Sequence, residues 1–99
     1  MTKTLHLDEL TLNDRWFDAE VEVEFETSMG GVNTDYFITR LTEWTDGGAS
    51  NKDLPVDTLP VSLENYVVGK AEEYVEENYE WMPTYEEIRE DAYETFLGV

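Results

Sequence analysis

The 99-residue sequence contains no cysteine, which excludes disulfide scaffolds, thiolate metal centres and cysteine nucleophiles. No run approaches the ~18 apolar residues that a membrane-spanning helix needs. The opening stretch Met1-Thr2-Lys3-Thr4-Leu5-His6-Leu7-Asp8 has one lysine and no apolar core, so no secretory leader is expected there. Lys and Arg number only 6, against 24 Asp and Glu, giving a formal charge of −18. A surface so poor in cations is repelled by phosphate, which disfavours nucleic acid and anionic membranes as direct partners. A soluble protein of a reducing cytoplasm fits these absences. Catalytic signatures are missing too. No glycine-rich phosphate cradle, G-x-S-x-G or H-E-x-x-H occurs. His6, the sole histidine, falls in an expected strand and reads as structural. The acidic stretch Asp46–Asp53 departs from a calcium loop and places Lys52 among the would-be ligands. Gly30-Gly31 and Gly47-Gly48 read as loop flexibility. Neither a cofactor nor a metal is expected, and nothing argues for an enzyme.

What is present is enough for a fold. Hydrophobic residues make up 40% of the chain and aromatics 13%, including Trp16, Trp44 and Trp81, which are expected in the core. Disordered acidic tails lack such aromatics, so a single folded domain over 1–99 is expected. The run Asp18 to Glu26, D-A-E-V-E-V-E-F-E, alternates strictly. Ala19, Val21, Val23 and Phe25 take one face of a strand, and Glu20, Glu22, Glu24 and Glu26 take the other. Upstream, Leu5, Leu7, Leu10 and Leu12 suggest a first strand bulged at Asp8-Glu9, with Asn13-Asp14 as the turn. After loop chemistry at Ser28–Asn33, Tyr36 to Trp44 reads as a third strand, with Tyr36/Ile38 and Phe37/Leu41 competing for its inward face.

Thr45 to Pro60 reads as a connection. Ser62 is placed as the cap of a helix running to about Met82, with Leu63, Val67, Ala71, Tyr74, Val75, Asn78, Trp81 and Met82 on its apolar side and Pro83 breaking it. Thr84 opens a second helix through a capping box with Glu87. Tyr85, Ile88, Ala92 and Phe96 form its stripe, and Gly98 ends it. The expected fold is α+β: a three-stranded antiparallel meander followed by two α-helices (βββαα), both on one sheet face.

The charge is not a tail. Residues 1–61 hold 13 acids and 4 bases, and residues 62–99 hold 11 acids and 2 bases. Glu72, Glu73, Glu76, Glu77 and Glu80 fall within roughly 140° of the first helix, and Glu86, Glu87, Glu90, Asp91 and Glu94 form a matching arc on the second. Tyr66 falls inside the first acidic arc, either as an exposed aromatic anchor for a partner or as a ring packed on the 45–60 connection. Glu20 to Glu26 repeat the crowding, at about 6.8 Å between i and i+2 positions. Like charges at such spacing cost a few tenths of a kcal/mol per neighbouring pair.

Three uses compete: a solvated surface, a cation store and an imitation of nucleic acid. A sphere-like domain of this length has a radius of gyration near ~13 Å and a span of roughly 30–35 Å, over which duplex DNA carries roughly 18–20 charges. In its size, in D-A-E-V-E-V-E-F-E and in the acid-faced helix around E-E-Y-V-E-E-N-Y-E, the chain resembles the small acidic DNA-mimic inhibitors that bacteriophages encode against restriction, CRISPR or repair enzymes. The resemblance implies a phage origin, a host cytoplasm and a non-enzymatic inhibitor that fills the basic groove of a nucleic-acid-binding defence enzyme. Those inhibitors share no common motif, so the residues expected to bind the partner rest on charge position alone: Glu72, Glu73, Glu76, Glu77, Glu80, Glu20, Glu22, Glu24, Glu26 and Tyr66. The alternative is a small acidic scaffold or regulatory subunit that binds through an apolar or edge-strand surface.

Overall fold

A computed structural model describes residues 1–28 and 31–96, with side chains throughout except at Ser28, Tyr79 and 91–96. Four antiparallel strands run in sequence order across one sheet: β1 (Thr2–Leu12), β2 (Arg15–Ser28), β3 (Gly31–Thr45) and β4 (Ser50–Leu54). Helices α1 (Val61–Glu77) and α2 (Tyr85–Phe96) follow. α1 lies against β1, β2 and β3, and α2 against β2.

The three-stranded meander is therefore corrected to four strands. β4 lies within the segment read as a connection, flanked by 3₁₀ turns at Asp46–Gly48 and Val56–Thr58. Its sequence, S-N-K-D-L, lacks β-branched or aromatic alternation because only Leu54 is even half-buried. Backbone pairing with β3 and the cross-strand pair Glu43–Lys52 hold it, as suits a short charged edge strand. β2 and β3 are also longer than expected: Ser28 pairs with Gly31 and Glu26 with Asn33, so most of the presumed loop is hairpin.

The core lies between the sheet and the helices. β2 contributes Phe17, Ala19, Val21, Val23 and Phe25, all 5% exposed or less. β1 adds Leu5, Leu7 and Leu10, and α1 adds the i, i+4 row Leu63, Val67, Ala71 and Val75. Ile88 is the buried contact of α2 within its described side chains. Ala92 and Phe96 lie on that helix with side chains outside the described residues, and Gly98 lies outside them altogether.

Two bulges set the sheet faces. Asp8 and Glu9 oppose Asp18 alone, so Leu10 returns to the core side. Glu9 takes φ 57°, and its N–H donates to Asp18 Oδ1 at 3.2 Å. On β3, Thr39 is the extra residue, inserted between the pairs Val21–Ile38 and Glu20–Arg40. This resolves the competing claims on the strand: Tyr36 and Ile38 face inward before the bulge, Leu41 faces inward after it, and Phe37 is 52% exposed on the other side. A left-handed backbone costs a non-glycine residue roughly 1–2 kcal/mol, partly offset for glycine by its freer unfolded chain. Glu9→Gly is accordingly expected to stabilise the fold by about 0.5–1 kcal/mol, measured as a higher urea midpoint. A lower midpoint would mean that the Glu9 side chain contributes more than its backbone costs.

The first helix is also corrected at both ends. Pro60 occupies the N-cap, and its carbonyl accepts from the Leu63 and Glu64 amides, so Ser62 is not the cap. The helix stops at Glu77. Asn78 donates both its backbone N–H (2.8 Å) and its side-chain amide (2.9 Å) to the Tyr74 carbonyl, and the chain turns into a 3₁₀ segment, Tyr79–Trp81. Asn competes for backbone groups in this way and ends helices that apolar spacing alone would extend. Trp81 still reaches the core, 6.0 Å from Phe25 and 6.1 Å from Tyr74 between ring centres, with Lys3 Nζ donating to its carbonyl at 2.6 Å. The capping box at the second helix is present: Glu87 N–H donates to Thr84 Oγ1 at 3.2 Å, and Thr84 N–H donates back to Glu87 Oε1 at 3.4 Å.

Candidate functional site: the uncovered sheet face

Both helices pack on the apolar side, so the other face of the sheet is covered by nothing among the described residues. β2 places Trp16, Asp18, Glu20, Glu22, Glu24 and Glu26 on it. Thr2, Thr4 and His6 flank that row from β1; Asp35, Phe37, Arg40, Thr42 and Trp44 do so from β3; Asn51 and Asp53 extend it on β4. Arg40 is the one guanidinium among the described residues of this face. It pairs at 3.4 Å with Asp53, which also accepts from the Thr42 hydroxyl at 2.7 Å. That hydroxyl, then Arg40, lowers the Asp53 pKa.

The glutamate row has little such relief: Arg40 is the cross-strand neighbour of Glu20, and the N-terminal ammonium acts on Glu24. Glu24 stands opposite Thr2 on one side and Asp35 on the other. Its pKa is raised, first by a hydrogen bond with the neighbouring Glu26 carboxyl and then by burial and the charges of Glu26 and Asp35, against a smaller lowering by the N-terminal ammonium. The folded state holds this proton more tightly than the unfolded chain does. Its contribution to stability is therefore present below the ordinary glutamate range and lost as pH rises through the raised pKa. Glu43 and Asp53, whose pKa values are lowered, act in the opposite sense: their contribution is present above the carboxylate range and lost as pH falls through the lowered values. NMR titration of the Glu24 carboxyl carbon should give a midpoint above the ordinary glutamate value, and Glu26→Gln should bring it down. An unchanged midpoint in that variant would show that the two carboxyls do not interact.

Two tryptophans expected in the core belong to this surface. Trp16 is 36% exposed and Trp44 half-buried, with ring centres 6.1 Å apart. Asp18 fixes the second ring by accepting its indole N–H at 2.6 Å. Gly48, at φ 95°, brings its backbone so near that an added Cβ would sit 3.1 Å from the Trp16 ring. The glycine pair is thus required by conformation and close approach, beyond loop flexibility. The signal for Trp16 was legible: the alternation that puts Asp18 and Glu20 outward, carried back one step, puts Trp16 there too. Trp44 was hidden by the unpredicted bulge at Thr39. Only Trp81 of the three packs on the core.

The helix carboxylates form a separate surface. Glu72, Glu73, Glu76 and Glu77 are exposed on α1, and Glu80 is exposed on the 3₁₀ turn beyond it. Glu72 and Glu76 lie near enough to Tyr36 to add to the upward pKa shift that burial imposes on its phenol. Since α1 covers the apolar face, these residues and the strand row occupy opposite sides of the molecule. Tyr66 is half-buried against the core, with Lys70 Nζ 5.8 Å from its ring centre, and does not project as a free anchor. Glu86, Glu87 and Glu90 are exposed on α2; the side chains of Asp91 and Glu94 lie outside the described residues.

The molecule measures 50 × 28 × 23 Å with a radius of gyration of 15.8 Å, longer than the sphere-like expectation. Duplex DNA over 50 Å would carry roughly 29 charges, so the apparent equality of total charge does not hold. The local row on β2 matters more than the total. The described residues contain no group of His, Cys, Asp or Glu arranged to hold a metal ion, and none of their helices is long and apolar enough to cross a membrane. Compared with known proteins, the chain matches no family model, no curated protein and no solved structure.

Proposed function

We propose that this protein is a non-enzymatic inhibitor that imitates nucleic acid and occupies the basic groove of a nucleic-acid-binding enzyme, with the uncovered sheet face as its contact surface. One observation carries the reading: four glutamates stand in line on a central strand, facing a side of the sheet that no other described element covers. Such a row costs stability when the protein is alone and gains when lysines and arginines of a groove meet it. Sheet pairing sets the strand glutamates in one line and leaves Glu20, Glu22 and Glu24 half-buried, whereas those of α1 are spread round the outer helix surface and exposed. The strand row is therefore the primary contact, and the α1 row faces away from it. A phage source and a host defence target follow from the likeness in size and acid patterning to phage-encoded DNA mimics.

The test is capture from a cell lysate on the immobilised protein with elution in salt steps. A DNA- or RNA-processing enzyme released by moderate salt is the expected result. The rival reading is a scaffold that recruits a partner to a sheet edge. It draws support from β1 and from residues 31–40 of β3, whose outer edges pair with no strand among the described residues. A partner that resists high salt and has no nucleic-acid activity would favour that reading instead.

A further inference from the structure

We infer that the uncovered face carries an arginine-specific subsite, a hollow of about 270 Å³ bordered by Trp44, Asp18, Asp8 and Glu20, which receives a guanidinium of the partner in preference to a lysine ammonium. The inference rests on the basic-groove reading above and sharpens it from charge alone to the chemistry of one side chain. A guanidinium is planar, stacks on aromatic rings and forks onto a carboxylate; an ammonium is a compact, strongly hydrated point charge that does neither as well.

The protein already uses that recognition on its other side. Arg15 forks onto Glu43 at 2.7 and 2.9 Å while its guanidinium carbon lies 5.0 Å from the centre of the Phe17 ring. Phe17 and Glu43 are cross-strand partners on β2 and β3. One residue along β2 and facing the opposite way, Asp18 and Trp44 join the same two strands in a like combination of ring and carboxylate. Among the described residues, cations lie over Phe17, Tyr66 and Trp81, and none over Trp44. Asp18 accepts the Trp44 indole N–H and the Glu9 amide. A carboxylate offers about four acceptor positions, so it retains capacity for a fork. Of the basic residues lining the hollow, Arg40 is engaged with Asp53 on the β4 side and His6 stands opposite Glu20. The excess of carboxylate around the ring supplies the complementarity for a single incoming guanidinium.

The probes are hexa-arginine and hexa-lysine amides, equal in side-chain charge, titrated into the full chain while the Trp indole N–H resonances are followed by NMR. The expected result is at least fivefold tighter binding of hexa-arginine, with the Trp44 indole resonance moving along the same isotherm. Trp44→Leu should reduce the preference to near unity and keep the charge-driven binding common to both peptides. Should that variant fail to fold, the Trp44 resonance of the unaltered chain decides. Equal affinities for the two peptides, or a hexa-arginine preference with Trp44 unmoved, would overturn the subsite while leaving the basic-groove reading in place. If neither peptide binds, both readings are overturned.

Discussion

Replacing Glu20, Glu22, Glu24 and Glu26 together by Gln is expected to weaken binding to the captured partner by about 10²-fold at low salt and, in the same variant, to raise thermal stability. Each exposed charge pair contributes on the order of 0.2–1 kcal/mol, so losing four corresponds to roughly 1–4 kcal/mol, or about half a decade to three decades of affinity. The stability change has the opposite sign because the unbound protein carries the repulsion. Glu24 is opposed by Asp35 across the strands and neighboured by Glu26 along its own, and its raised pKa reflects that crowding. Relief of that repulsion raises the melting temperature of the variant above that of the unaltered chain. Affinity titration and a thermal melt of one variant therefore separate two accounts. A coat that serves solubility alone predicts the melting change without the affinity change. The matching α1 variant, with Glu72, Glu73, Glu76 and Glu77 changed to Gln, is expected to retain most of the affinity, since that surface lies on the far side of the sheet from the strand row.

Phe25→Ala is expected to destabilise the fold by about 3–5 kcal/mol, a large fraction of the 5–15 kcal/mol available to a typical domain. Phe25 is fully buried, and its ring contacts Trp81, which ties the 3₁₀ turn after α1 to the end of the sheet. The cavity would open beneath the glutamate row, beside Glu24 and Glu26. Chemical denaturation measures the loss. A cost below about 1 kcal/mol would mean that α1 and the Trp81 turn do not close over β2 as described. Binding by the folded fraction should be preserved, because Phe25 faces away from the contact surface.

Period and capping chemistry made part of this architecture readable. The alternation of β2 separated a buried row from an acidic one, and the leucine spacing of β1 located its bulge. Leu63, Val67, Ala71 and Val75 marked the inner side of α1, and Thr84 with Glu87 marked the start of α2. What escaped was structure that leaves no apolar pattern. β4 is held by backbone pairing and buries almost nothing, so its residues read as loop. The inserted Thr39, whose hydroxyl donates to the Glu20 carbonyl at 3.1 Å, reverses the phase of β3 midway and made two inward faces look equally good. Asn78 took the Tyr74 carbonyl and ended α1 where spacing alone would have carried it to Met82. The position of the candidate site depended on such facts. The glutamate row was legible in the sequence. Trp16 follows from the same alternation carried back one step, whereas the place of Trp44 on that face required the bulge at Thr39.

The central claim is that partner and protein meet where the partner otherwise holds nucleic acid, and competition tests it most directly. With the purified captured enzyme, affinity for the protein is measured at fixed salt over a series of duplex concentrations. If the uncovered face fills the nucleic-acid groove, the apparent Kd rises in direct proportion to free duplex, and no complex containing all three components forms. An apparent Kd unchanged at saturating duplex, with a stable three-component complex, would contradict the account.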